Sequence, residues 1–250
     1  METFDSDGVK IAYTQAGEGD PILLLHGFAA SVEENWGRTG WVHALQKTGR
    51  RVIAFDHRGH GESEKLYEPD RYTTDLMAGD ALRLMDHLKI ERAELMGYSM
   101  GAGIAAYLAV HHGQRFSSVI LGGIGAKMLE PSSGGDELAR ALEADDAGTL
   151  PEGMARNFRL YAEQTGQDLK ALAACARGPK TRVTPEELGG LTMPVLVVAG
   201  QRDDLAGDPA ALAQLIPGAK SEVIPGSDHM YTLPNGVFKG TVIDFLSGWL

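Results

Sequence analysis

Residues 92–110 read Arg92-Ala93-Glu94-Leu95-Met96-Gly97-Tyr98-Ser99-Met100-Gly101-Ala102-Gly103-Ile104-Ala105-Ala106-Tyr107-Leu108-Ala109-Val110, and the rest of the chain takes its meaning from them. The spacing predicts a short strand, Arg92–Met96, running straight into Gly97-Tyr98-Ser99-Met100-Gly101, with a helix over Ala102–Val110 leaving directly after it. A G-x-S-x-G match alone carries little weight. Placed between a strand and a helix it describes a sharp turn that holds a serine hydroxyl up at the edge of a sheet. Flanking glycines are required because side chains there would collide with the neighbouring strand and helix. The helix N-terminus also brings backbone N–H groups with no intrahelical acceptor, suited to a developing oxyanion.

Outward from this turn, strands and helices alternate. Val9–Thr14 alternates in polarity, whereas Pro21–Leu25 and Arg51–Phe55 are continuous apolar runs, as expected of strands covered on both faces. Helical spacing appears over Trp41–Lys47 and Thr74–Leu88, and Ser117–Leu121 reads as a further strand. The alternation stops near Ala126. From there to Gly190 the chain is rich in Ala, Glu, Asp and Gly, with helical pieces and no convincing strand. It then resumes with strands at Met193–Val198 and Lys220–Ile224, and helices at Pro209–Ile216 and Val237–Leu250. The expectation is an α/β fold: a doubly wound, mostly parallel sheet flanked by helices, formed by residues 1–125 and 191–250. Residues 126–190 are expected to form a small helical cap over the strands' C-terminal ends, where open α/β sheets bind ligands.

Composition narrows the function classes. The formal net charge of −11 opposes nucleic acid and anionic membrane surfaces. The single cysteine, Cys175, excludes an intramolecular disulfide and gives no zinc-ligand spacing. No basic segment followed by an apolar run opens the chain, and no apolar stretch has membrane-spanning length. A cytoplasmic, reducing setting is therefore expected, with oligomeric state left open. No metal, nucleotide or flavin motif is present, so no cofactor is expected.

A serine hydroxyl needs a base to take its proton. Of the eight histidines, His229 follows the last expected strand in Gly226-Ser227-Asp228-His229, at the same sheet edge as Ser99. His26, His57, His60, His111 and His112 sit in turns or at a helix end and are read as structural. The orienting acid should follow an earlier strand, and Gly200-Gln201-Arg202-Asp203-Asp204 does so. Asp203 is assigned, with Asp204 capping the turn or the next helix; Asp204 stands as the alternative. Asp208, before Pro209, reads as an N-cap. The loop His26-Gly27-Phe28 after Pro21–Leu25 is placed to supply a second oxyanion donor, so the backbone N–H groups of Phe28 and Met100 are the expected oxyanion hole. Trp36 and Trp41 read as core, while Tyr98 and Met230 are candidates for substrate contact.

Leu25-His26-Gly27-Phe28, Asp56-His57-Arg58-Gly59-His60-Gly61-Glu62-Ser63, Gly97 to Gly101, Gly200 to Asp203 and Asp228-His229 occur in this order. The chain thereby resembles the α/β-hydrolase superfamily, in its small bacterial esterase, lactonase and C–C-hydrolase-like branch. The resemblance implies a Ser99, Asp203, His229 triad with Phe28 and Met100 amides as oxyanion hole, and a structural role for Asp56–Ser63. Serine at position 99, rather than Asp or Cys, sets the chain apart from the dehalogenases, epoxide hydrolases and dienelactone-hydrolase-like members. The expected activity is hydrolysis of carboxylic esters of small to medium acyl chains through an acyl-serine intermediate. An enol-lactonase or C–C-bond hydrolase is the alternative; its substrate carboxylate would need a cap arginine, from Arg156, Arg159, Arg177 and Arg182. A non-catalytic ligand receptor is the third reading.

Overall fold

The computed structural model describes residues 1–130 and 134–250. Eight strands form one sheet: β1 (Glu2–Asp5), β2 (Lys10–Ala16), β3 (Pro21–Leu25), β4 (Arg51–Phe55), β5 (Ala93–Tyr98), β6 (Phe116–Gly122), β7 (Val195–Gly200) and β8 (Lys220–Ile224). Their spatial order is β1-β2-β4-β3-β5-β6-β7-β8. The first two run antiparallel at one edge, and β4 to β8 pair in parallel through β3. This is the doubly wound sheet expected from the alternation. Strand β1 was not legible in the sequence, because only Phe4 of its four residues is buried.

Ten helices complete the chain among the described residues: α1 (Trp41–Gln46), α2 (Thr74–His87), α3 (Met100–His112), α4 (Gly135–Glu143), α5 (Met154–Gln164), α6 (Leu169–Arg177), α7 (Pro185–Leu188), α8 (Pro209–Ala213), α9 (His229–Thr232) and α10 (Gly236–Leu246). Asp208 does cap α8, its carboxylate accepting from the Ala210 N–H at 2.9 Å. The continuous apolar strands divide by pleat. Leu23, Leu25 and Leu95 point into a core beneath α2, α3 and α8, whereas Ile22, Leu24 and Met96 meet Trp36, Trp41 and Phe238 on the opposite face. Trp36 and Trp41 are therefore core residues, both fully buried.

Between β6 and β7 the regular elements among the described residues are all helical, joined by irregular stretches; Pro131 to Ser133 of the expected cap lie outside the described residues. Helices α4, α5 and α6 pack on one another through Ala139, Leu142, Ala162, Leu172 and Ala173, and Ala29 joins that cluster from the loop after β3. Cys175, Val183 and Leu188 instead join the main core beside Tyr72, so the end of the segment is anchored to the sheet layer. The Cys175 thiol is buried, and burial pushes its pKa up. Among the described residues no helix is long and apolar enough to cross a membrane.

One polar assembly ties the loops together. Arg58, 2 % exposed, makes a two-pronged ion pair with the fully buried Asp80 of α2 at 2.7 and 2.8 Å. Asp56 accepts from the Val32 N–H and the Glu62 N–H, both at 2.7 Å. These charge-assisted bonds fix the loop after β4 against the loop after β3.

Candidate active site

Four loops converge at the C-terminal edge of the parallel strands. Ser99 lies between β5 and α3 with φ +54° and ψ −116°, a conformation that costs a non-glycine residue energy and must be enforced by its surroundings. Enforcement comes from the Ser99 N–H donating to the Gly122 carbonyl at 2.8 Å, and from close packing on both sides. A Cβ on Gly97 would run into the Gly101 backbone, and one on Gly101 would run into the Leu25 and His26 carbonyls. The two glycines of the motif are there because β3, β5 and α3 approach this closely.

His229, the first residue of α9, places Nε2 2.8 Å from the Ser99 hydroxyl and Nδ1 2.8 Å from Asp203 Oδ2. A carboxylate only accepts, so Nδ1 carries the proton toward Asp203 and Nε2 is left to accept from Ser99. The other Asp203 oxygen accepts the N–H groups of Leu205 and Ala206 at 3.1 and 3.0 Å, and the side chain is fully buried. Asp204 is exposed; its backbone carbonyl accepts from the Lys127 ammonium. Of the two aspartates, the structure brings Asp203 to His229. The Tyr98 hydroxyl donates to the His229 carbonyl, which fixes the backbone that carries the imidazole.

Neither the Phe28 nor the Met100 N–H donates to an acceptor among the described residues. Phe28 and Gly27 share a cavity wall with Ser99, and Met100 opens α3. The loop that carries Phe28 is held by Asn35, whose Oδ1 accepts from the Gly27 N–H at 2.8 Å. Asn35 belongs to a single turn of π-helix, Glu33–Gly37. It had no sequence signal beyond lying a few residues after the loop.

His26, His57 and His60 cluster edge to face or tilted, with ring centres 4.6 to 6.4 Å apart, all fully buried. His26 Nδ1 lies 2.7 Å from the Gly27 carbonyl, and Nε2 accepts from the His57 N–H at 2.9 Å, so this ring is neutral with the proton on Nδ1. Burial lowers the pKa of all three, helped by their mutual proximity at His57 and His60. A histidine held neutral in the fold, with an unfolded value near 6.5, contributes its full stability above that pH and loses it as the pH falls below. The unfolded chain then binds more protons than the fold. At pH 5.5, His57 and His60 together are expected to withdraw about 3 kcal/mol. Urea midpoints measured at pH 7.5 and pH 5.5 check this; an unchanged midpoint would mean that the rings are protonated in the fold.

The cavity at Ser99 measures about 220 Å³ and is lined by Gly27, Phe28, Glu34, Tyr98, Phe158 and Tyr161 among others, with Met230 at its edge. A second cavity of about 440 Å³ shares Phe158, Tyr161, His229 and Met230 and extends past Arg202, Asp204 and Asp228. Phe158 and Tyr161 come from α5 and were not singled out in the sequence. The four arginines of the expected cap lie elsewhere. Arg159 is buried, donating to the Ala141, Leu142 and Ala144 carbonyls at the end of α4. Arg177 pairs with Glu143, and Arg156 and Arg182 line other cavities.

A serine on the central strand-to-helix turn of such a sheet, with histidine and carboxylate on later loops, defines a class of hydrolases. A family model described as the alpha/beta hydrolase fold matches residues 20–174. The chain is 32 % identical over 254 residues to the dihydrolipoyllysine-residue acetyltransferase component of the acetoin cleaving system of Cupriavidus necator, covering 90 % of this chain and 63 % of that protein. This chain thus spans less than two thirds of that relative. It is 28 % identical over 244 residues to 3-oxoadipate enol-lactonase 2 of Acinetobacter baylyi, covering 90 % and 89 % of the two chains. The enol-lactonase structure from Burkholderia xenovorans LB400 superposes with a TM-score of 0.76 at 29 % identity, over 98 % of this chain and all of that one. The chain belongs to the α/β hydrolase fold family.

Proposed function

We propose that the protein hydrolyses carboxylic esters of small to medium acyl chains through an acyl-serine intermediate. The observation that carries this reading is the unbroken hydrogen-bonded chain from Ser99 through His229 to Asp203, opening onto a cavity. Ser99 attacks the ester carbonyl while His229 Nε2 takes its proton. The Phe28 and Met100 N–H groups hold the developing oxyanion, in place before the reaction begins. His229 then returns the proton to the leaving alcohol, and in the second half activates water to release the acid. Asp203 keeps the imidazole in the productive tautomer and stabilises its charged form. Residues 126–190 act as the cap, with Phe158 and Tyr161 shaping the pocket from above. The substrate is a small molecule, met in the cytoplasm, and no cofactor enters the steps.

Enol-lactone hydrolysis uses the same acyl chemistry and is the second reading, favoured by the similarity to enol-lactonases. Among the described lining residues, however, no Lys or Arg reaches the Ser99 cavity to hold a substrate carboxylate.

A burst of one 4-nitrophenolate per protein with 4-nitrophenyl butyrate, followed by slower steady turnover, is the expected result. A fluorophosphonate should leave one adduct, on Ser99. No turnover of any 4-nitrophenyl ester from acetate to octanoate, together with no adduct, would overturn the reading.

A further inference from the structure

The Ser99 cavity pairs aromatic side chains with one carboxylate. Phe28, Tyr98, Phe158 and Tyr161 line it, Phe28 and Phe158 meeting edge to face at 5.7 Å, and Glu34 completes the wall. Glu34 is no solvated surface acid, since its side chain is only 14 % exposed. Among the described residues its one cationic partner is Arg38, at 3.0 Å, and Arg38 is shared with Glu33 at 3.5 Å. One guanidinium between two carboxylates leaves the trio with a net charge of −1. Arg38 is also 65 % exposed, so water screens it more than it screens the carboxylate it faces. The charge is felt across the cavity: Tyr161 has its pKa pushed up to about 12, by burial first and by Glu34 second, and stays an uncharged phenol. The adjoining cavity adds Asp204 and Asp228 against Arg202, whose guanidinium is engaged by the Gly226 carbonyl.

Aromatic faces attract cations through their quadrupole, and a nearby carboxylate adds a direct Coulomb term. We propose that Glu34 is a specificity-determining residue that selects esters carrying an ammonium or protonated amine and rejects those carrying a carboxylate. This rests on Ser99 being the nucleophile, and it goes further by naming the charge class of the substrate.

The test compares kcat/KM for butyrylcholine with that for its uncharged isostere, 3,3-dimethylbutyl butyrate, and for mono-4-nitrophenyl succinate with that for 4-nitrophenyl butyrate. In the wild-type protein the cationic ester should be preferred about five- to tenfold, and the anionic one disfavoured by a similar factor. Glu34→Gln should shrink both ratios by about threefold or more. Arg38→Gln, which removes the partner, should widen them. A loss of fold or general activity would move numerator and denominator together, so the opposite signs of the two variants separate charge selection from damage. If the uncharged esters are hydrolysed but the wild-type ratios are near one, or Glu34→Gln leaves them unchanged, the proposal fails while the acyl-serine reading stands. If no ester turns over and fluorophosphonate leaves Ser99 unlabelled, both fall.

Discussion

Ser99→Ala is expected to lower kcat for 4-nitrophenyl esters by on the order of 10⁶-fold and to abolish the fluorophosphonate adduct. The substitution removes the oxygen that would become acylated. It leaves the other parts in place: His229 remains tied to Asp203 at 2.8 Å, and the proposed oxyanion donors, the Phe28 and Met100 N–H groups, are backbone groups that the substitution does not touch. Residual hydrolysis from binding and oxyanion stabilisation, about 10³–10⁴ over the uncatalysed rate, should therefore persist without a burst. Fold is not expected to suffer. The strained backbone at position 99 is imposed by the Gly122 carbonyl and the packing of Gly97 and Gly101, none of which involves the hydroxyl. A melting temperature within a few degrees of wild type accompanies the loss in kcat. Wild-type turnover in this variant would remove the serine from the reaction altogether.

The candidate site was legible where its parts follow strands readable in the sequence, and illegible where they depend on docking. Strands β3 and β4 carry the bounds that their apolar runs predict, and β8, with only Ile224 buried, also spans the expected Lys220–Ile224. A residue placed just after such a strand is positioned by the strand itself, which is why Phe28, Ser99, Asp203 and His229 could be picked out by order alone. Choosing between Asp203 and Asp204 needed the turn's conformation, which buries one carboxylate and exposes its neighbour. Asn35 acts through a bond to Gly27 formed only once the π-turn closes, and no periodicity signals it. Phe158 and Tyr161 lie on a helix whose orientation depends on α4 and α6, so the helix could be read but the direction of its side chains could not. The arginines of residues 126–190 show the same limit from the other side: their charge suggested a carboxylate site, yet Arg159 serves the end of a helix.

Asp203→Asn is expected to lower kcat by on the order of 10⁴-fold with little effect on KM, whereas Asp204→Asn should stay within about twofold of wild type. The argument turns on the second oxygen of Asp203. Oδ1 accepts from the Leu205 and Ala206 N–H groups, so an asparagine must leave its carbonyl oxygen there; the flipped amide would set its NH₂ against two donors. The NH₂ then faces His229 Nδ1 and donates to it. That forces the imidazole proton onto Nε2, which now points a donor at Ser99 and cannot accept the hydroxyl proton. Geometry survives and chemistry does not. Loss of rate should ease as the pH rises enough for Ser99 to ionise without the imidazole, a pH profile that a merely unstable variant would not share. Asp204 is exposed and makes no bond to His229, so its amide leaves the tautomer unchanged. Comparable losses in the two variants would mean that the carboxylates act through net charge at the cavity mouth, and the tautomer argument would be wrong.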